Sequence, residues 1–79
     1  METLYELMAK PLEFVGTSRG LLVFSNDDFM CELEATKKFD IVAKPTTLLL
    51  YELSHKYGTD LYVTHEVNGT SKTTENKSK

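Results

Sequence analysis

The side chains that could do chemistry are two histidines and the carboxylates near them. His55 follows Glu52 by three residues, and His65 lies between Asp60 and Glu66. Histidine and carboxylate groups bind divalent metals, and a catalytic zinc site needs three such ligands. The spacing matches no established metal motif, and the sequence has no glycine-rich phosphate loop, nucleophile elbow or paired cysteines. We therefore predict no catalytic residues, no metal ligands and no cofactor, and we expect that the protein is not an enzyme.

Cys31 is the single cysteine of the chain. One thiol excludes an intramolecular disulfide, and it cannot by itself supply a thiolate zinc site. We expect Cys31 to be a small buried hydrophobe in a protein of a reducing compartment.

Signals for secretion and for membrane insertion are missing from the sequence. The first residues form neither a basic nor an apolar leader, and no run approaches the roughly 20 apolar residues that span a bilayer. We therefore expect a cytoplasmic protein that does not bind a membrane.

The net charge of −3 combines an acidic body with a basic end. Residues 1–68 contain eleven acidic and six basic side chains, whereas residues 69–79 contain one acidic side chain and three lysines. A protein that binds the phosphate backbone normally presents a basic face. The acidic body argues against nucleic acid as the partner, although a local basic patch can exist on an acidic domain.

The clearest element is a helix of about three turns from Pro45 to Gly58. Proline suits the first helical position, where its missing N–H would have no partner, and glycine can adopt the left-handed conformation that ends a helix. Glu52 and Lys56 form a favourable pair four residues apart. We expect this helix to organise the rest of the chain.

Two apolar stripes lie side by side on that helix at 100° per residue. The first contains Leu49, Leu50, Leu53 and Tyr57, and the second contains Leu48, Tyr51 and His55. We call the second set the helix stripe. One thin sheet cannot cover both stripes, so we predict that the helix stripe contacts another element, a second subunit or a partner.

The residues before the helix begin with a short helix and a β-hairpin. Thr3 and Glu6 have the spacing of a capping box, and Pro11 ends the helix that they begin. Two β-prone runs, 12–17 and 21–24, are separated by the loop Ser18–Gly20. A three-residue loop that ends in glycine is typical of a bulged hairpin.

Residues 29–38 are open to two interpretations. As a strand, they place Phe29, Cys31, Leu33 and Ala35 on one face. As a helix, they have early acids, late lysines and good helix formers. We favour the strand, which would extend the hairpin into a three-strand meander.

After the helix, residues 61–67 alternate as a strand, with Leu61, Val63, His65 and Val67 on one face. Residues 68–79 contain no apolar side chain, and we expect them to form a disordered polar tail that is dispensable for folding. The predicted fold is therefore α+β. A single domain of residues 1–67 has a small antiparallel sheet, which is a hairpin or three-strand meander plus a C-terminal strand, packed on one central helix with a short N-terminal helix.

These features favour a small non-catalytic regulator or adaptor that occludes or bridges a protein partner. The predicted partner-binding residues are Leu48, Tyr51 and His55, and self-association as a homodimer through them would also cover the helix stripe. The alternative is a nucleic-acid-binding regulator that uses the hairpin and the lysine tail. A helix-turn-helix is excluded because residues 59–67 are strand-like where a recognition helix would be required.

Overall fold

The chain folds into a five-stranded antiparallel sheet with its longest helix on one face. The computed structural model describes residues 3–34 and 44–76. The elements in chain order are α1 (Leu4–Met8), β1 (Glu13–Ser18), β2 (Leu21–Ser25), β3 (Phe29–Glu34), α2 (Thr47–Tyr57), β4 (Leu61–Val67) and β5 (Thr70–Asn76). The strands lie in the sheet in sequence order. This arrangement confirms the predicted α+β fold with a central helix and a short N-terminal helix.

Alternate residues of β2, β3 and β4 form the hydrophobic core beneath α2. Across the sheet, Phe24 pairs with Cys31, and Cys31 pairs with Val63. The core cluster consists of Leu12, Phe24, Phe29, Cys31, Leu33, Leu50, Leu61 and Val63. The strand interpretation of residues 29–34 is therefore confirmed, because period-two alternation buries one face of this segment. Residues 35–38 of the predicted strand lie outside the described residues.

Helix α2 begins at Thr47, two residues after Pro45. Thr46 is the N-cap, and its hydroxyl accepts a hydrogen bond from the Leu49 N–H at 3.1 Å. Pro45 precedes the cap, and its carbonyl accepts a bond from the Leu12 N–H at 2.7 Å. Gly58 ends the helix in the left-handed conformation, with φ of 67°. The predicted C-terminal end is thus correct, whereas proline at the first helical position is wrong.

The buried line of α2 runs between the two stripes that the sequence shows. Thr47, Leu50 and Ser54 are the buried residues of the helix. The Ser54 hydroxyl donates to the Tyr51 carbonyl at 3.1 Å, so this buried polar group is hydrogen-bonded within the helix. Small side chains at two of the three positions let the helix approach the sheet closely. As a result, only Leu50 of the first predicted stripe is buried, and Leu49, Leu53 and Tyr57 are half-buried.

Helix α1 is capped as the sequence predicts. The Glu6 N–H donates to the Thr3 hydroxyl at 3.2 Å, and the Thr3 N–H donates to the Glu6 carboxylate at 3.0 Å. Leu7 and Met8 pack against the core cluster. The helix has only five residues, so its stability depends on these packing contacts.

Two hairpin turns have the same backbone geometry. Arg19 and Gly20 connect β1 to β2 with φ of 53° and 81°, and Asn68 and Gly69 connect β4 to β5 with φ of 53° and 77°. Positive φ at both central residues identifies type I′ turns. The first hairpin is confirmed, but its loop has two residues and not three, because Ser18 pairs directly with Leu21 across the strands.

The predicted disordered tail is wrong for residues 70–76, which form β5 and pair with the whole of β4. The Asn68–Gly69 turn directs the chain back along β4, and β5 then satisfies backbone groups that would otherwise lie at an open edge. An edge strand can form this ladder without burying apolar side chains, and residues 70–75 are indeed exposed. Residues 77–79 lie outside the described residues.

Candidate functional site

The helix stripe lies along one side of α2, but its three residues differ in exposure. Leu48 and Tyr51 are half-buried, and His55 is exposed. Tyr51 packs against the core cluster, and burial raises the pKa of its phenol, with a smaller contribution from the Cys31 thiolate. The structure thus brings the three residues together on one helix face while it commits part of Tyr51 to the domain's own core. Their role in partner binding stays a prediction.

A second candidate surface is the face of the sheet opposite α2, which we call the open face. No helix within residues 3–34 and 44–76 packs on it. A groove of about 570 Å³ crosses this face. Its lining residues are Arg19, Leu21, Met30, Glu32, Tyr62, Thr64, Thr73 and Glu75.

The central row of the open face places a tyrosine between two glutamates. Glu32 of β3 pairs with Tyr62 of β4, and Tyr62 pairs with Glu75 of β5. Neighbouring strands lie about 4.8 Å apart, so Glu32 and Glu75 stand on either side of Tyr62 in the sheet. Val23 of β2 continues the row beyond Glu32 and is buried. This row combines an aromatic surface with two negative charges.

The adjacent row is neutral and contributes the rest of the groove. Met30 of β3 pairs with Thr64 of β4, and Thr64 pairs with Thr73 of β5. The two threonine hydroxyls are hydrogen-bonded to each other at 2.9 Å. Met30 is 42% exposed although it lies in the middle strand of the sheet. Apolar surface is therefore available to solvent in the centre of the open face.

Arg19 reaches the groove from the tip of the first hairpin. Its Nη2 atom lies 3.6 Å from Oε2 of Glu32. The arginine side chain is 80% exposed, whereas the glutamate side chain is 15% exposed. The contact is an ion pair that is longer than a charge-assisted hydrogen bond, which normally measures about 2.7–2.9 Å. Arg19 is therefore loosely held.

The open face is acidic. By strand alternation and register it carries five glutamates, at positions 13, 32, 34, 66 and 75. Within the described part of this face, Arg19 is the one basic side chain, because Lys72 pairs with His65 and so belongs to the opposite face. This charge distribution favours a positively charged partner over a phosphate backbone.

The two histidines and the cysteine lie in different surroundings. Among the described residues, no group of three side chains could hold a metal ion. His65 packs its ring 5.2 Å from that of Phe29, while His55 is exposed on α2. Cys31 is buried, with its sulfur 3.8 Å from the Thr47 hydroxyl, and burial raises the pKa of its thiol to about 11. The thiol is thus the buried hydrophobe that the sequence predicts.

Comparisons of the chain with protein-family models, with curated proteins and with solved structures found no match. The helices within residues 3–34 and 44–76 are all too short or too polar to cross a membrane.

The sequence interpretation missed the open face as a candidate site. Alternation in residues 61–67 already places Tyr62, Thr64 and Glu66 opposite the core. The row of Glu32, Tyr62 and Glu75 could not be found in this way, because Glu75 belongs to the strand that was expected to be a disordered tail. The Asn68–Gly69 pair was the available signal, since this dipeptide is the strongest short-range indicator of a hairpin.

Proposed function

We propose that the protein is a small non-catalytic protein-binding module that occludes or bridges a protein partner through the open face of its sheet. The observation that supports this proposal best is the groove on the open face, which places Met30 and Tyr62 among polar and charged side chains, Glu32 and Glu75 included. Apolar and aromatic centres with polar rims are the usual anatomy of protein interfaces.

The chemistry of the groove fits recognition better than catalysis. Tyr62 at its centre is the residue type that supplies many binding hot spots, and Met30 beside it can adapt its shape to a partner. Both side chains extend from central strands, so the backbone holds them rigidly and little ordering is required on binding.

The area of the open face limits how much surface an interface there can bury. Five strands about 4.8 Å apart and about 20 Å long give roughly 500 Å² of surface. A standard interface buries about 800 Å² on each partner. The open face alone therefore supports a transient complex or the capture of an extended segment.

The helix stripe is the second candidate surface, and two tyrosines provide a matched comparison. Tyr62 lies on the open face and Tyr51 on the helix stripe, and both are half-buried. Captures from the source cell with the wild type, Tyr62→Ala and Tyr51→Ala should lose the partner with Tyr62→Ala and keep it with Tyr51→Ala. Thermal melts of both variants establish that each is folded, and His55→Ala tests the helix stripe without touching the core.

The reverse result, loss with Tyr51→Ala or His55→Ala and retention with Tyr62→Ala, would assign the partner to the helix stripe. The predicted homodimer is tested in the same material by sedimentation equilibrium, where a 9.0 kDa monomer would contradict it. A low-salt DNA shift assay completes the comparison. A salt-sensitive shift without a captured protein would support the nucleic-acid alternative.

A further inference from the structure

We infer that the open face recognises an arginine side chain of a basic protein segment, and that Arg19 occupies this position in the free protein. The inference rests on the proposed function and names the chemistry of its partner. The site consists of Glu32, Tyr62 and Glu75, which lie side by side on three neighbouring strands.

The geometry of this row suits a guanidinium group. A planar cation can stack on the ring of Tyr62 while its N–H donors point toward the carboxylates on either side. Glu32 and Glu75 are separated by two strand spacings, which is about 10 Å between their backbones. A guanidinium offers donors along its edges for both carboxylates, whereas an ammonium group concentrates its charge at one point. The row therefore favours arginine over lysine.

The chain's own Arg19 places a guanidinium beside one carboxylate of this row. It lies 3.6 Å from the Glu32 carboxylate and lines the same groove as Tyr62 and Glu75. Since its side chain is 80% exposed, the contact resembles a surface ion pair and contributes little to stability. An arginine of a partner that also stacks on the ring can replace it.

The turn that carries Arg19 does not itself require arginine. Type I′ turns favour asparagine, aspartate or glycine at the first central position, because these residues tolerate positive φ. Asn68 occupies that position in the second hairpin, whereas Arg19 occupies it in the first, both with φ of 53°. Arginine at this position supplies the ion pair with Glu32, which the asparagine that the turn favours would not supply. Arg19 thus acts as an internal competitor that weakens the binding of external arginine.

Fluorescence anisotropy with a synthetic peptide tests this inference. The probe is a labelled hexapeptide of alternating arginine and threonine with blocked termini, and its counterpart contains lysine in place of arginine. We expect the wild type to bind the arginine peptide more tightly than the lysine peptide. Arg19→Asn removes the competitor and introduces the residue that the turn prefers, so affinity should rise by up to about fivefold, the factor that corresponds to a surface ion pair.

Glu32→Gln should weaken binding of the arginine peptide by a similar factor. Glu66→Gln is the matched control, because it removes the same charge from the same face, and Glu66 does not line the groove. A change of less than about twofold is expected for this control, since exposed charges are screened. Melting curves of each variant check that the fold is retained.

Three results would overturn the inference. These are equal weakening by Glu66→Gln and Glu32→Gln, equal binding of the two peptides, or reduced affinity in Arg19→Asn. If neither peptide binds but Tyr62→Ala still loses the captured partner, the protein-binding function stands and the assignment to arginine fails. If Tyr62→Ala also keeps the partner, both proposals fail.

Discussion

The two faces of the sheet are formed by the same strands but have opposite chemistry. In β3, Phe29, Cys31 and Leu33 are buried beneath α2, whereas Met30 and Glu34 are exposed on the open face. The covered face is aliphatic and aromatic, and the open face combines a small apolar centre with glutamates. One set of side chains in β3 thus packs in the core, and the other set belongs to the surface that we propose binds a partner. Substitutions on the open face can therefore change binding while the fold is retained.

The largest expected difference between the faces is in the cost of truncating an aromatic side chain. Phe24→Ala on the covered face should lower the free energy of unfolding by about 3–5 kcal/mol, because it leaves a cavity at a fully buried position. Tyr62→Ala on the open face should cost about 1 kcal/mol, mainly through lost cross-strand packing. Urea denaturation followed by circular dichroism measures both values.

A small domain has about 5 kcal/mol of stability in total, so Phe24→Ala can be largely unfolded. Phe24→Leu then serves as the graded variant, and it should still cost more than Tyr62→Ala. Equal losses on the two faces would show that the open face is also part of the core.

A second prediction concerns how the free energy of unfolding depends on pH through the Cys31 thiol, which lies on the covered face. Burial raises the pKa of the Cys31 thiol from 9.0 to about 11. Below pH 9 the thiol is protonated in both the folded and unfolded states, so the stability that it contributes is fully present there. Above pH 9 the unfolded chain loses this proton first, and stability falls until about pH 11, by up to about 3 kcal/mol.

The control for this experiment is Cys31→Ala, which removes the titrating group. The slope of unfolding free energy against pH between pH 9 and pH 11 should be steeper in the wild type than in this variant. The absolute stabilities differ because of packing, so only the slopes are compared. Identical slopes would mean that the thiol is not shielded by the covered face.

A smaller effect is expected from β5, which lines the open face and whose residues 70–75 are exposed. Truncation after Asn68 removes the ladder with β4 and should cost about 1–2 kcal/mol, which corresponds to a fall in Tm of several degrees. Gly69→Ala should act in the same direction by about 1 kcal/mol, because Gly69 has φ of 77°. An unchanged Tm after truncation would support the dispensable tail that the sequence predicts.

Much of the fold follows from short-range signals. The capping box at Thr3 and Glu6, the glycine that ends α2 and the alternation of residues 61–67 each depend on neighbours within a few positions. Local backbone geometry and side-chain period decide such features, so one sequence is enough to predict them.

The candidate site was less predictable than the fold. The helix stripe could be drawn from helical periodicity, but whether Tyr51 serves the core or a partner depends on what packs beside it. The open face requires knowledge of which strands are neighbours and in which register they pair. The ion pair between Arg19 and Glu32 joins the turn between β1 and β2 to β3, and the sequence predicts that turn with three residues where the structure has two.

The sequence alone predicted both helices, the first hairpin, the strand after α2 and the acidic character of the body, because periodicity, capping residues and charge are properties of local segments. It favoured a strand over a helix for the third strand without excluding the helix, since residues 29–34 fit both local patterns. The tertiary structure decided three further features: that β5 forms, that Thr47, Leu50 and Ser54 are the buried line of α2, and that Glu32, Tyr62 and Glu75 meet on one face. The physical reason is that strand pairing and helix docking satisfy backbone groups and bury surface between segments that are distant in sequence. The free energy gained by such pairing depends on both segments, so it cannot be inferred from either segment alone.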